Sequence, residues 1–181
     1  MNLIVKLIDG LNERVGRAAI WLVLFSALVS AGNAAYRYLF GISSNGMLEI
    51  QWYMFSLIFL LCAGYTLKHD GHVRIDVIYG HLSLRGKALV DVMGGLLFLL
   101  PVSLFITKMS WDMFLLSWAV GEVSPDSGGL MRWPIKLAIP LGFALLSLQG
   151  ISEVIKKIQI FIHPEAIQGA AREAEGAHHE F

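Results

Sequence analysis

Residues 49–76 read EIQWYMFSLIFLLCAGYTLKHDGHVRID. The eighteen residues from Ile50 to Leu67 carry no formal charge, which is long enough to cross a bilayer core as one helix. A carboxylate, an amide and two aromatics (Glu49, Gln51, Trp52, Tyr53) stand at one end. At the other, Lys68 opens the densest polar cluster of the chain, Lys68 to Asp76. One segment therefore supplies a membrane span and two differently decorated ends.

The rest of the chain agrees. Its 181 residues are 56% hydrophobic and 15% charged, with a mean hydropathy of +0.62, too apolar for an ordinary soluble domain. The formal net charge is zero, so there is no basic footprint for nucleic acid. The one cysteine, Cys62, lies inside an apolar run and reads as packing, with no disulfide framework or cysteine metal site around it.

Working outward, residues 2–16 place Leu3, Ile4, Leu7, Ile8, Leu11 and Val15 at helical spacing, with Lys6, Asp9, Asn12, Glu13 and Arg14 largely opposite. That pattern predicts a short amphipathic helix at the membrane surface. A first span of about 18–38 follows; its mixed-charge leader argues against a cleaved signal peptide. Ala27, Ala31 and Ala35 form one small-residue stripe on it, and Ser26, Ser30 and Ala34 another, which implies a close helical neighbour. The second span is about 48–67, the third about 88–108 and the fourth about 133–155. Residues 109–123 fit either a continuing helix or a surface segment, and 121–129 read as a loop. Pro134 suits a first helical turn, while Pro140 predicts a local kink. The expected fold is an all-α membrane protein: four transmembrane helices plus the N-terminal amphipathic helix, one domain over 1–163 and a polar tail over 164–181.

Ten of the fourteen Lys and Arg fall on the side of the leader, the 68–87 loop and the tail, and only Arg37, Lys108, Arg132 and Lys136 on the other. Both termini are therefore expected in the cytoplasm. Trp52, Trp111, Trp118 and Trp133 then gather at the outer boundary, as an interfacial belt does.

Sites for chemistry are scarce. A translocation pathway wants ionisable or broken-helix features near the midplane. Here Asn33, Gln149 and Glu153 lie toward span ends, and Glu49 and Asp91 at boundaries. His69, Asp70, His72 and His81 lack the scaffold of a metal site and read as a polar turn. No phosphate-cradling glycine loop and no nucleophile–base pair is recognisable. The reading assigns no catalytic, cofactor or metal residues. Glu49 is left with three candidate partners, Arg37, Arg132 and Lys136, or a contact with another subunit.

Two blocks add a resemblance. Glu49-x-Gln51-Trp52 with Ala63 to Val77 (AGYTLKHDGHVRIDV), and Pro125 to Leu130 (PDSGGL) with Trp133 to Phe143 (WPIKLAIPLGF), resemble the DctQ-like small membrane subunit of tripartite ATP-independent periplasmic (TRAP) transporters. The likeness covers about Arg17 to Lys157. It implies a bacterial inner-membrane uptake system in which a periplasmic solute-binding protein captures a small organic acid or related solute. A large multi-span subunit would carry the solute and the coupling ion, commonly sodium, and this chain would be a non-catalytic scaffold in membrane lipid. On that reading the candidate partner interface is Glu49, Gln51, Trp52, Arg132 and Lys136 with Ala27, Ala31 and Ala35, and a cytoplasmic loop interface is His72, Arg74 and Asp76. Three alternatives stay open. One is a haem- or quinone-binding anchor of an oxidoreductase, which would need axial histidines within the spans; another is a stand-alone small transporter; the third is a purely structural four-span protein of some other complex.

Overall fold

The computed structural model describes residues 3–42, 44–72 and 79–163. Arg74 and Asp76 of the loop interface, and the tail from 164, lie outside the described residues. Four helices carry the fold: α1, Leu3–Phe40; α2, Asn45–Lys68; α3, Leu84–Ala119; and α4, Trp133–Ile162. All four are long and apolar enough to cross a membrane. Among the described residues no strand forms beyond an isolated bridge between Val123 and Met131.

The expected surface helix is helical and two-faced, but it is not a separate element. It is the first part of α1, which runs 38 residues without a break, about 57 Å at 1.5 Å per residue. Nothing in the sequence stops it: there is no proline, and Glu13 pairs with Arg17 one turn on at 2.7 Å. Its polar face is also placed otherwise than expected. Asp9, Asn12 and Glu13 turn toward α2 and α4, while Leu3, Ile4, Leu7 and Leu11 point outward. The helix ends where Gly41 takes φ +68° and its amide bonds the Arg37 carbonyl at 2.9 Å.

Residues 109–119 continue α3, so the helix outruns the expected third span. Within it Gly95–Leu99 widen into a π turn just ahead of Pro101, which has no N–H for an ordinary helical bond. Ser83 caps its start by accepting from the Gly86 amide at 3.2 Å. Pro134 sits in the first turn of α4, and Pro140 lies buried inside a helix that runs on to Ile162.

The helices form a row in the order α1, α2, α4, α3, and α4 touches all three others. The most apolar window of α4 is 44% buried against 6% for α3, so α4 is the hub. The interior is unusually polar: Ser103, Ser110, Ser117, Ser147, Ser152, Asn12, Asn33 and Gln149 are buried alongside Val5, Tyr53, Met54, Phe114 and Ile135. Phe55, Phe59, Phe98 and Phe105 face outward. A water-soluble chain does the reverse; in lipid, tails offer large apolar side chains a ready solvent and helices meet through small ones. Close approaches fit that rule. A Cβ on Gly142 would lie 2.7 Å from the Leu60 carbonyl oxygen, and one on Gly16 would lie 2.5 Å from the Tyr65 ring. Ser147 Oγ donates to Ser103 Oγ at 2.8 Å, joining α4 to α3.

Candidate partner-binding surfaces

After α3, Glu122 to Arg132 turn back as a narrow loop. The Ser124 amide bonds the Leu130 carbonyl and the Arg132 amide the Glu122 carbonyl, each at 2.9 Å, with Gly128 at φ +74° in the turn. This loop folds over the start of α2. Asn45 Nδ2 donates to the Ser127 carbonyl at 2.9 Å, and Tyr53 Oη to the Met131 carbonyl at 2.7 Å. Glu49 is the centre. Its side chain is 5% exposed, and it accepts from the Leu130 amide at 2.6 Å, from the Ser124 hydroxyl, and from Arg132 Nη2 at 3.4 Å. Charge-assisted bonds of this kind are strong where water is excluded. Gly129 has no room for a side chain, since a Cβ there would run into Ser124 Cβ.

Of the three candidate partners for Glu49, the structure selects Arg132. The carboxylate is spent inside the chain on the loop. Lys136 pairs instead with Glu122, and that ammonium holds the Glu122 carboxyl below its ordinary range. The Arg132 guanidinium lies 5.1 Å from the Trp52 ring centre, a cation–π placement. Gln51 is half-buried and accepts from Ser30 Oγ at 3.0 Å, so the serine stripe of α1 faces α2. Ala27, Ala31 and Ala35 are exposed, on a side of α1 that none of the described helices covers. Between α2 and α3, above α4, opens a groove of about 450 Å³ walled by Trp52, Phe55, Phe59 and Met113, with Arg132 and Lys136 at its end.

The opposite end of the row holds a second polar assembly, which sequence reasoning missed. Asp9 accepts from Gln149 Nε2 at 2.8 Å and Ser152 Oγ at 2.7 Å, and pairs with Lys156 at 3.2 Å. Glu13 pairs with Lys68 at 2.6 Å and His69 at 2.9 Å. Asn12 is fully buried and donates to the Leu145 carbonyl at 3.4 Å. Lys157 pairs with Asp91 at 2.8 Å. The available signal was the pairing of two leader acids with lysines at the matching ends of α2 and α4, and the helical spacing of Gln149, Ser152, Glu153 and Lys156. His72 and His81 are exposed, and among the described residues no three His, Cys, Asp or Glu side chains gather as for a metal.

The geometry describes ties at both helix ends with an uncharged middle. No Asp, Glu, Lys, Arg or His lies between Arg17 and Arg37, Glu49 and Lys68, Asp91 and Lys108, or Lys136 and Glu153. Residues 26–160 match the family described as "Tripartite ATP-independent periplasmic transporters, DctQ component". The chain belongs to the DctQ family. No curated protein matches it. Of the two blocks that resemble this family, Glu49 of the first and Leu130 of the second meet in space. As a DctQ component the chain is a multi-pass membrane part of a tripartite transporter.

Proposed function

We propose that this DctQ-family chain is the static, non-catalytic scaffold of an ion-gradient-driven uptake system for a small organic acid or related solute. It packs against the large transporting subunit in the bacterial inner membrane, with both termini cytoplasmic. The observation that carries this reading is the hub. α4 is tied to α1 by Asp9–Lys156, to α3 by Asp91–Lys157, and at the opposite end to α2 by Glu49 and Arg132, the residue that caps its start. Such a frame resists the rocking of one helix against another by which transporters alternate access. The uncharged middle leaves solute and coupling ion, commonly sodium in such systems, to the large subunit.

In this reading the exposed Ala27, Ala31 and Ala35 stripe meets the large subunit, because small residues let a second backbone approach closely in lipid. The outer loop pinned by Glu49, flanked by Gln51, Trp52, Arg132 and Lys136, presents a stiff surface to the periplasmic binding protein. His72, Arg74 and Asp76 belong to the cytoplasmic boundary. Co-purification of the tagged chain with its large subunit tests the first contact: Ala31→Leu lowers the yield of complex while leaving the thermal unfolding of the isolated chain unchanged. Full yield and full solute uptake by Ala31→Leu would remove the stripe from the interface.

A further inference from the structure

The first turns of α1 carry a charge separation invisible in the sequence. From Leu3 to Arg17 there are three cations and two acids. Both acids turn inward, Asp9 to Gln149, Ser152 and Lys156, and Glu13 to Lys68 and His69. Lys6, Arg14 and Arg17 are left on the outside. Lys6 and Arg14 form no ion pair among the described residues; Arg17 reaches Glu13 at 2.7 Å but leaves 73% of its side chain exposed. Leu3, Leu7, Leu11 and Arg14 follow one another at three- and four-residue steps, so they stand in one row along the helix. Lys6 and Arg17, three turns apart, flank that row. Leu3 is 72% exposed and Leu7 is 64% exposed.

We infer that this outward face of α1 binds the headgroups of anionic phospholipids, its leucines entering the acyl boundary and Lys6, Arg14 and Arg17 meeting the phosphates. The proposal rests on the reading of the chain as membrane-spanning and not on its partners. The internal pairing of Asp9 and Glu13 is what makes the site, because with those acids outward the face would be nearly neutral. A bilayer fits better than an acidic protein. The same few turns display hydrocarbon and positive charge side by side, on a helix that runs directly into a span, and a lipid interface offers both complements at that depth.

The test uses the full chain in a neutral detergent, titrated with phosphatidylglycerol or phosphatidylcholine, with bound lipid read by native mass spectrometry. The chain should prefer phosphatidylglycerol, and the preference should shrink as salt rises. Lys6→Gln with Arg14→Gln, at exposed side chains that form no ion pair among the described residues, should reduce the preference on the order of tenfold. Lys6→Arg with Arg14→Lys should keep it. Equal binding of the two lipids, or an unchanged preference in the Gln variant, overturns the proposal. So does a Gln variant that keeps its lipid preference but loses its large subunit on co-purification, which would assign the face to an acidic protein surface.

Discussion

Gly142 offers the sharpest test of how α2 and α4 meet. A Cβ at this position would stand 2.7 Å from the Leu60 carbonyl oxygen and 2.8 Å from Leu60 Cβ. The obstacle is backbone, so no rotamer change relieves it. Ordinary contact begins near 3.4 Å, so Gly142→Ala must part the helices locally by about 0.7 Å. Overpacking of that kind costs roughly 1–3 kcal/mol. Alanine also gains about 1 kcal/mol of helix propensity over glycine, which masks part of the loss. A matched control removes the mask: a Cβ on Gly32, inside α1, meets nothing within 4 Å. Gly32→Ala takes the same propensity gain without the clash. The difference between the two variants therefore reports the clash alone, roughly 1–3 kcal/mol, or about 2–4 °C in midpoint for each kcal/mol. Thermal unfolding of the purified chain in detergent, followed by near-ultraviolet circular dichroism, measures it. Equal midpoints for Gly142→Ala and Gly32→Ala would refute the close approach of α4 to the Leu60 backbone.

Three further outcomes follow from the polar ties. Glu49→Gln keeps the side chain's shape but removes its charge, so the Leu130 amide should exchange hydrogen faster while amides at the α3–α4 contact stay protected; unchanged exchange at Leu130 would show that the carboxylate does not hold the loop. Lys136 depresses the Glu122 carboxyl from its ordinary value of 4.5, so the stabilisation from this pair is present above 4.5 and is lost as pH falls through the lower folded value. Lys136→Met should flatten that acid limb of a midpoint-against-pH curve, and an identical limb would dismiss the pair as a source of stability. Asp9→Asn with Glu13→Gln should release the leader from α2 and α4, read as faster tryptic cleavage after Arg14 and Arg17; a wild-type cleavage rate would mean that packing alone holds it.

The spans were legible because hydrocarbon length is a one-dimensional property: an uncharged run such as Ile50 to Leu67 needs no knowledge of its neighbours. The outer loop was half legible. Turn chemistry identified Gly121 to Gly129 as a loop, and Glu49 stood out as a boundary carboxylate with three candidate partners. Which cation it met depended on how α2 and α4 lie beside each other, a contact between residues more than eighty positions apart. The leader was misplaced for a different reason. Its periodicity set Lys6 and Arg14 with Asp9, Asn12 and Glu13 against the leucines, whereas the two cations stand outward with Leu3, Leu7 and Leu11 and only the acids and Asn12 turn in; periodicity also does not say which face looks inward. In water the apolar face of Leu3, Leu7 and Leu11 would turn in. In lipid the sign reverses, because Asp9, Asn12 and Glu13 find partners only inside the row. The Ala27, Ala31 and Ala35 stripe shows the same ambiguity. Small residues announce a close neighbour, and within this chain the neighbour lies on the serine side instead.

The placement of the ties explains how a row, rather than a closed bundle, holds together. Lys156 and Lys157 are adjacent on α4, about 100° apart around its axis. Lys156 reaches back to Asp9 on α1, and Lys157 reaches Asp91 on α3. Two consecutive residues thus clamp the two outermost helices of the row at one end. At the other end Arg132 and Lys136, one turn apart, take Glu49 of α2 and Glu122 of the loop after α3. One helix and its N-cap residue Arg132 carry both sets, and the stretch between Lys136 and Glu153 needs only small side chains, such as Gly142 and Ser147, to keep its neighbours close. A closed bundle would bury its apolar middle within itself. A row clamped only at its ends leaves that middle open along two broad faces, where lipid or a partner's helices can lie. The cost of charge is thereby confined to the boundary depths where water and headgroups lower it. The architecture suits a part that must hold its shape while presenting surface to something else.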